Sequence, residues 1–293
     1  MLLVQLFVNG IFAGSMIALM GLSFSLIYRI TRTFLFSHGV IFTVGAYCVV
    51  VFETWLGLPQ YLSILLSIAV SIVLGCMTEL MIYRPLRQRG SSSLIVLLAS
   101  LGIYTFWQNV ISLIFGDDIR SIRFWSIKQG IDLWSVRVTP FQIVTFCLST
   151  CLLSATLLVL KKMKIGKALR AVANDPELAQ VSGVESERLI LWSTAAGCAL
   201  AGITGIMMAF DVDMTPTMGF NALMLGVVTV IIGGLKSIGG IALGALLLGM
   251  AQHLGVWKIS SGWQDTIAFL ILLAFLILRP EGFRGRKLKK ARV

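Results

Sequence analysis

Few residues in this chain are equipped for chemistry, and they gather in three places. The run Thr33-Phe34-Leu35-Phe36-Ser37-His38-Gly39 sets an imidazole and a hydroxyl into an otherwise apolar stretch. His38 there reads either as a poised ionisable group or as a hydrogen-bond partner for a neighbouring helix. Glu79 is an acid inside another apolar stretch, about one turn before Arg84, and pairing with Arg84 or Tyr83 is expected to satisfy it. The third place is Lys161 to Val184, the most polar internal run. Asp175 can cap a helix opening at Pro176, Glu177 favours its positive end, and Gly183 is placed to stop it. Ahead of the cap, Ala168, Leu169, Val172 and Ala173 recur at helical spacing. Two short amphipathic helices are expected, with an apolar face for a partner protein to bury.

Signatures of catalysis are missing from the sequence. The nearest string to a phosphate-binding loop, Gly233-Gly234-Leu235-Lys236-Ser237, lacks the glycine before lysine. No zinc-protease helix motif, nucleophile elbow or dinucleotide fingerprint occurs. The histidines are His38 and His253 alone, and no Cys/His spacing suits a metal. Cys48, Cys76, Cys147, Cys151 and Cys198 all lie in apolar stretches and read as small buried hydrophobes. No cofactor is expected on this chain. If ATP drives it, another chain hydrolyses the ATP.

Composition supplies the frame for those residues. Of 293 residues 57% are hydrophobic and 13% charged, with mean hydropathy +0.92. Soluble domains carry about 25% charge, and a membrane span needs about 20 apolar residues. The chain is therefore an all-α, polytopic helical membrane protein with eight to nine transmembrane segments. The stretches run Leu2 to Tyr28, Phe34 to Phe52, Tyr61 to Tyr83, Leu94 to Phe115, Phe141 to Leu160 and Leu189 to Phe210. Ala222 to Ile232 and Ile238 to Val256 are short and glycine-broken, and Thr266 to Leu278 is last. Met1 opens directly into a span, so no cleavable signal is expected.

The net charge of +11 reads as loop charge rather than a nucleic-acid footprint. With the N-terminus outside and the C-terminus inside, all but five of the 24 lysines and arginines fall inside. The exceptions are Arg120, Arg123, Lys128, Arg137 and Lys258. The external loop 116–140 also holds Asp117, Asp118, Asp132, Trp125 and Trp134, and could lie on the membrane face or touch an external partner. Gly10 with Gly14, and Gly240 with Gly244, are close-packing pairs. Gly233, Gly234, Gly239, Gly240 and Gly244 are expected to break the run Gly226 to Gly249, making it either a pore wall or plain packing.

Several of these stretches together resemble one family, the inner-membrane permeases of branched-chain amino-acid ABC importers, LivH type. Gly166 to Ala179, continuing through Gly183-Val184, resembles the family's cytoplasmic coupling loop. Tyr83-Arg84-Pro85-Leu86-Arg87 resembles the basic turn after its third span. Gly233 to Gly240 with Gly244 resembles its glycine-rich signature, and Arg279-Pro280-Glu281-Gly282-Phe283 its closing motif. Leu35-Phe36-Ser37-His38-Gly39 stands where the family has an N-F-A-H-G-like string. Asp211 and Asp213 are not a family pattern, and Lys236 occupies a place often small.

The resemblance implies a single permease domain over 1–293 in a bacterial inner membrane, with a coupling loop at 161–188. It implies two ABC ATPase subunits, an external binding protein, a small polar substrate and a second permease chain, homologous and of the LivM type. Coupling to the ATPase would fall to Gly166, Arg170, Ala171, Ala173, Asp175, Pro176, Ala179 and Gly183. Phe36, Ser37, His38, Gly39, Gly233, Gly234 and Gly240 would lie along the substrate path. Asp211 and Asp213 would meet bases on the binding protein. The same machinery importing urea or short amides is the nearest alternative. An ion-coupled secondary carrier is the alternative from another class.

Overall fold

The computed structural model describes residues 2–120, 131–133, 136–235, 237–258, 260–279 and 282–283. Its centre is α1 (Leu2–Thr31), 30 residues and so about 45 Å of helix, enough to cross a bilayer with tilt. After a short non-helical passage comes α2 (Ser37–Val50), prolonged by a π-helical turn Val51–Trp55. Every α2 residue except Cys48 is buried. α3 (Gln60–Thr78) runs through a second π-helical turn, Glu79–Tyr83, into α4 (Arg84–Gln88), and α5 (Ser93–Phe115) follows.

A small antiparallel hairpin, β1 (Ile131–Leu133) with β2 (Val136–Val138), precedes α6 (Pro140–Lys162). Thr139 begins α6 in a capping box: its Oγ1 accepts from Gln142 N at 3.2 Å, while its own N–H donates to Gln142 Oε1 at 3.1 Å. Two short helices follow, α7 (Lys164–Asn174) and α8 (Pro176–Val181). The chain then forms α9 (Ser186–Asp211), α10 (Met218–Gly233), α11 (Ile238–Gly255) and α12 (Gln264–Leu278).

Among the described residues eight helices are long and apolar enough to cross a membrane, and α10 is a shorter ninth apolar helix. This is the expected all-α polytopic architecture. α1 packs on α11, α9, α10 and α6, whereas α2 is enclosed by α9, α3, α10 and α5. α12 lies outermost, with Ala268 its one buried residue.

Glycines bring the inner helices together. A Cβ at Gly10 or Gly14 would strike α11 backbone at Met250, Gly249 and Ala245. Gly45 of α2 meets Gly202 of α9 in the same way. Lipid gives helices no hydrophobic reason to associate, so van der Waals contact through small residues must supply it. The glycine pairs thus serve packing within the chain.

Two expectations are corrected here. α2 begins at Ser37 rather than Phe34, because Arg32 takes a left-handed conformation (φ 52°) that ends α1 and turns the chain. The glycine-rich run is also less broken than expected, since α11 passes unbroken through Gly239, Gly240, Gly244 and Gly249. Its one interruption lies between Gly233 and Ile238, turning at Gly234 (φ 92°) and re-entering helix where Ser237 Oγ accepts from Gly240 N at 3.1 Å. Glycines pressed against a neighbouring helix keep their intrahelical bonds, and a cavity wall does not follow from their number.

Basic residues gather at one end of the bundle, where the C-terminal ends of α1, α4 and α6 meet α7, α8 and the start of α9. At the other end Arg120 and Met214 exchange backbone hydrogen bonds of 3.0 and 2.6 Å, tying the segment after α5 to the segment after α9. Of the sequence readings, Arg123, Trp125, Lys128, Trp134, Lys236, Pro280, Glu281 and the basic residues from Arg284 onward lie outside the described residues.

Candidate functional site

Three arrangements at and beneath the basic end bear on function, and they share the turn between α1 and α2. Beneath the surface, His38 is 3% exposed and its Nε2 lies 2.9 Å from Ser23 Oγ on α1. Ser23 gives its own proton to Met20 O at 2.7 Å, which leaves His38 Nε2–H as the donor of the shared bond. Ser37 Oγ and Tyr83 Oη are 2.5 Å apart, and Phe36 N donates to Ser100 Oγ at 3.1 Å. Gly39 sits against Gly219, so the first turns of α2 and α10 meet backbone to backbone. The start of α2 is therefore fixed to α1, α3, α5 and α10 at once.

The second arrangement is a charge cluster. Glu79 is 2% exposed and accepts from Arg87 Nη2 at 2.9 Å. Arg87 also holds Glu187, with Nε to Oε1 at 3.1 Å and Nη2 to Oε2 at 3.0 Å, and Arg84 Nε approaches Glu187 Oε2 at 3.3 Å. Two acids and two bases thus balance beside a cavity of about 200 Å³ lined by Thr31, Thr33, Leu35, Glu79, Tyr83, Arg87, Ser91 and Val96. The expected partner of Glu79 was Arg84 or Tyr83; its partner is Arg87. The intervening π-helical turn inserts a residue, so a spacing of eight acts as seven and brings the two onto one face.

The third arrangement is the short-helix pair. Asp175 Oδ1 accepts from Leu178 N at 3.1 Å, the expected cap, and Gly183 leaves α8 with φ 81°. The side chain of Glu177 lies outside the described residues. The apolar stripe of α7 is not offered to a partner: Val172 is 2% exposed, and Leu169 packs on the cluster formed by Leu26 and Leu160. Gly166 lies so close to Val159 and Leu160 that a side chain there would collide with α6. The exposed apolar groups are instead Leu178 (65%) and Val181 (87%) on α8, with Met163 and Ile165 at the start of α7.

Two grips join this segment to the bundle. Arg32 Nη2 donates to Ala173 O and Asn174 O, both at 2.9 Å, holding the C-terminal carbonyls of α7 where a cation suits the helix dipole. Glu187, in the first turn of α9 just beyond α8, is held by Arg87 and Arg84.

The residues singled out in the sequence fall as follows. Phe36, Ser37, His38 and Gly39 are brought together. Gly233 and Gly240 are buried against each other at the α10–α11 crossing, and Gly234 lies at the turn between those helices. Arg170, Ala171, Asp175 and Pro176 are exposed, Ala173 is half-buried and Ala179 is buried. Asp211 and Asp213 are exposed at the far end, apart from the other sites. Sequence reasoning missed the roles of Ser23, Arg32, Tyr83 and Glu187. Only the polarity of Ser23 within an apolar span could have drawn notice.

A family model described as the branched-chain amino acid transport system / permease component matches residues 6–276. The chain is 29% identical to the high-affinity branched-chain amino acid transport system permease protein BraD of Pseudomonas aeruginosa, covering 96% of this chain and 95% of that one. It is 28% identical to the corresponding LivH of Escherichia coli K12, over 95% and 94% of the two chains. A probable LivH of Methanocaldococcus jannaschii is 27% identical over 96% of this chain and 92% of its own. No solved structure matches.

Proposed function

The chain belongs to the branched-chain amino acid permease family, and from that premise we propose that it is the membrane path of a binding-protein-dependent ABC importer for branched-chain amino acids. The reading carries N-out, C-in orientation in a bacterial inner membrane, since the basic end belongs inside by charge. Two ATPase subunits dock there, a second permease of the LivM type completes the path, and a binding protein delivers substrate at the far end. The relatives' names favour amino acids over urea or amides, and favour this machine over an ion-coupled carrier.

The observation that carries the proposal is α8. Leu178 and Val181 stand exposed at the basic end on a helix whose own chain already covers the inner face of α7. A groove on an ATPase would take those two side chains. Movement of the docked segment then reaches α2 by two routes, from α7 through Arg32 and from α9 through Glu187, Arg87 and the α3–α4 rod to Tyr83 and Ser37. Phe36 stands at the start of the path within the bundle, and Ser37 and His38 fix the helix start behind it. Asp211 and Asp213 supply negative charge for steering the binding protein.

The test is affinity purification of the tagged chain in mild detergent from its native host, followed by identification of co-purifying chains and assay of ATP hydrolysis. ATPase subunits and a second permease, with hydrolysis stimulated by loaded binding protein, are expected. Recovery of the chain alone, with transport that ignores ATP, would overturn the reading.

A further inference from the structure

α5 and α10 both pack on α2 but share little backbone contact with each other. Aromatic rings from α5, α10 and the residue before α2 bridge them at one level. The rings of Phe36 and Phe220 lie parallel, 7° between planes and 6.1 Å between centroids. Tyr104 meets Phe220 at 5.7 Å, and Phe34 backs Phe36 at 4.8 Å. Tyr104 is buried, Phe36 is half-buried and Phe220 remains 37% exposed.

This level is also where helical backbone stops. α2 and α10 both begin here, with Gly39 against Gly219, and non-helical backbone at membrane depth is tolerated only where protein covers it or a cavity runs beside it. Lipid is a poor occupant for the open side of Phe220. Thr217 and Asn221, exposed on either side of it, would face hydrocarbon with their hydrogen-bonding groups. A zwitterion with an aliphatic side chain suits the same place: flat ring faces for branched methyls, and Thr217 and Asn221 for the polar end.

We propose that Phe36, Tyr104 and Phe220 form an aromatic constriction in the substrate path that grips the aliphatic side chain of the transported amino acid. The proposal rests on the permease reading above. His38, sealed behind the constriction and bonded to Ser23, holds the start of α2 and does not touch substrate.

The experiment uses the complete importer with its partner subunits in proteoliposomes. Leucine and valine uptake are measured at saturating loaded binding protein, so that delivery affinity drops out of the comparison. Phe220→Ala is expected to lower leucine uptake roughly 10-fold and to change the leucine-to-valine ratio, as loss of hydrophobic pocket contact does. Stimulated ATP hydrolysis should stay within about twofold, and Phe220→Tyr should restore uptake. Unchanged leucine uptake per ATP in Phe220→Ala overturns the constriction, because a lipid-facing ring would behave so. Phe36→Leu, which keeps apolar bulk, provides the same readout if Phe220→Ala fails to assemble. Wild-type vesicles that take up neither amino acid with ATP would instead overturn the permease reading itself, and the constriction with it.

Discussion

Glu79 has one carboxylate oxygen on Arg87 and the other buried with no hydrogen-bond partner among the described residues. Removing Arg87 alone therefore strands a buried charge, which costs about 3 kcal/mol, whereas removing both charges costs little. Arg87→Met should lower the unfolding temperature of the detergent-solubilised protein, and the double variant Glu79→Gln, Arg87→Met should regain most of the loss. Equal losses in single and double variants would show that Glu79 finds compensation elsewhere. The sequence made Glu79 legible as an acid needing a partner, but not which partner. That choice rests on a π-helical turn, and no residue between Glu79 and Tyr83 marks such a turn. Ser37 and His38 were legible for the same reason, polar groups in an apolar run. Their partners Tyr83 and Ser23 come from helices that only tertiary packing brings near.

At the scale of elements, the two short helices before α9 followed from Asp175, Pro176 and Gly183, because caps and stops are local chemistry. The exposed face did not follow. An apolar stripe reveals that something covers it, and here α6 and α1 do so, leaving Leu178 and Val181 outward. Val181→Glu should abolish uptake and ATPase co-purification while leaving the amount of folded chain unchanged in the membrane. Arg32→Ala releases α7 from the α1–α2 turn. It should keep the ATPase bound and hydrolysing while leucine uptake falls at least roughly fivefold, the loss expected when about 1 kcal/mol of charge-assisted hydrogen bonding no longer biases the path. Retained uptake in Arg32→Ala would remove that grip from the coupling route. The glycine crossings carry their own test. Gly249→Val drives a side chain into Gly14 of α1, and should destabilise the bundle by about 1–3 kcal/mol as overpacking does. An unaltered melting curve would mean that the helices separate freely.

For the whole molecule, charge and hydropathy made the class and the number of spans legible, because a bilayer leaves few alternatives to the long apolar helix. The enclosure of α2 by α9, α3, α10 and α5 was not legible, since a fully buried span and a lipid-facing one are equally apolar. The burial of α2 is what turns Ser37 and His38 from isolated polar groups into the bonded start of an enclosed helix. Orientation belongs to this scale as well. A fluorescent-protein fusion after Leu278 should fluoresce, and a phosphatase fusion after Phe115 should be active, for a chain with its N-terminus outside and C-terminus inside; the reverse pair would invert every assignment of ends.

The central claim is that this chain is the path of an ATP-driven importer, and purified complex in proteoliposomes tests it most directly. Labelled leucine is presented on its binding protein, with ATP inside or outside the vesicles, and with ionophores that collapse sodium and proton gradients. Accumulation that requires ATP on the side of α8 and survives the ionophores is the expected result. Accumulation that needs no ATP and vanishes with the gradients would contradict it.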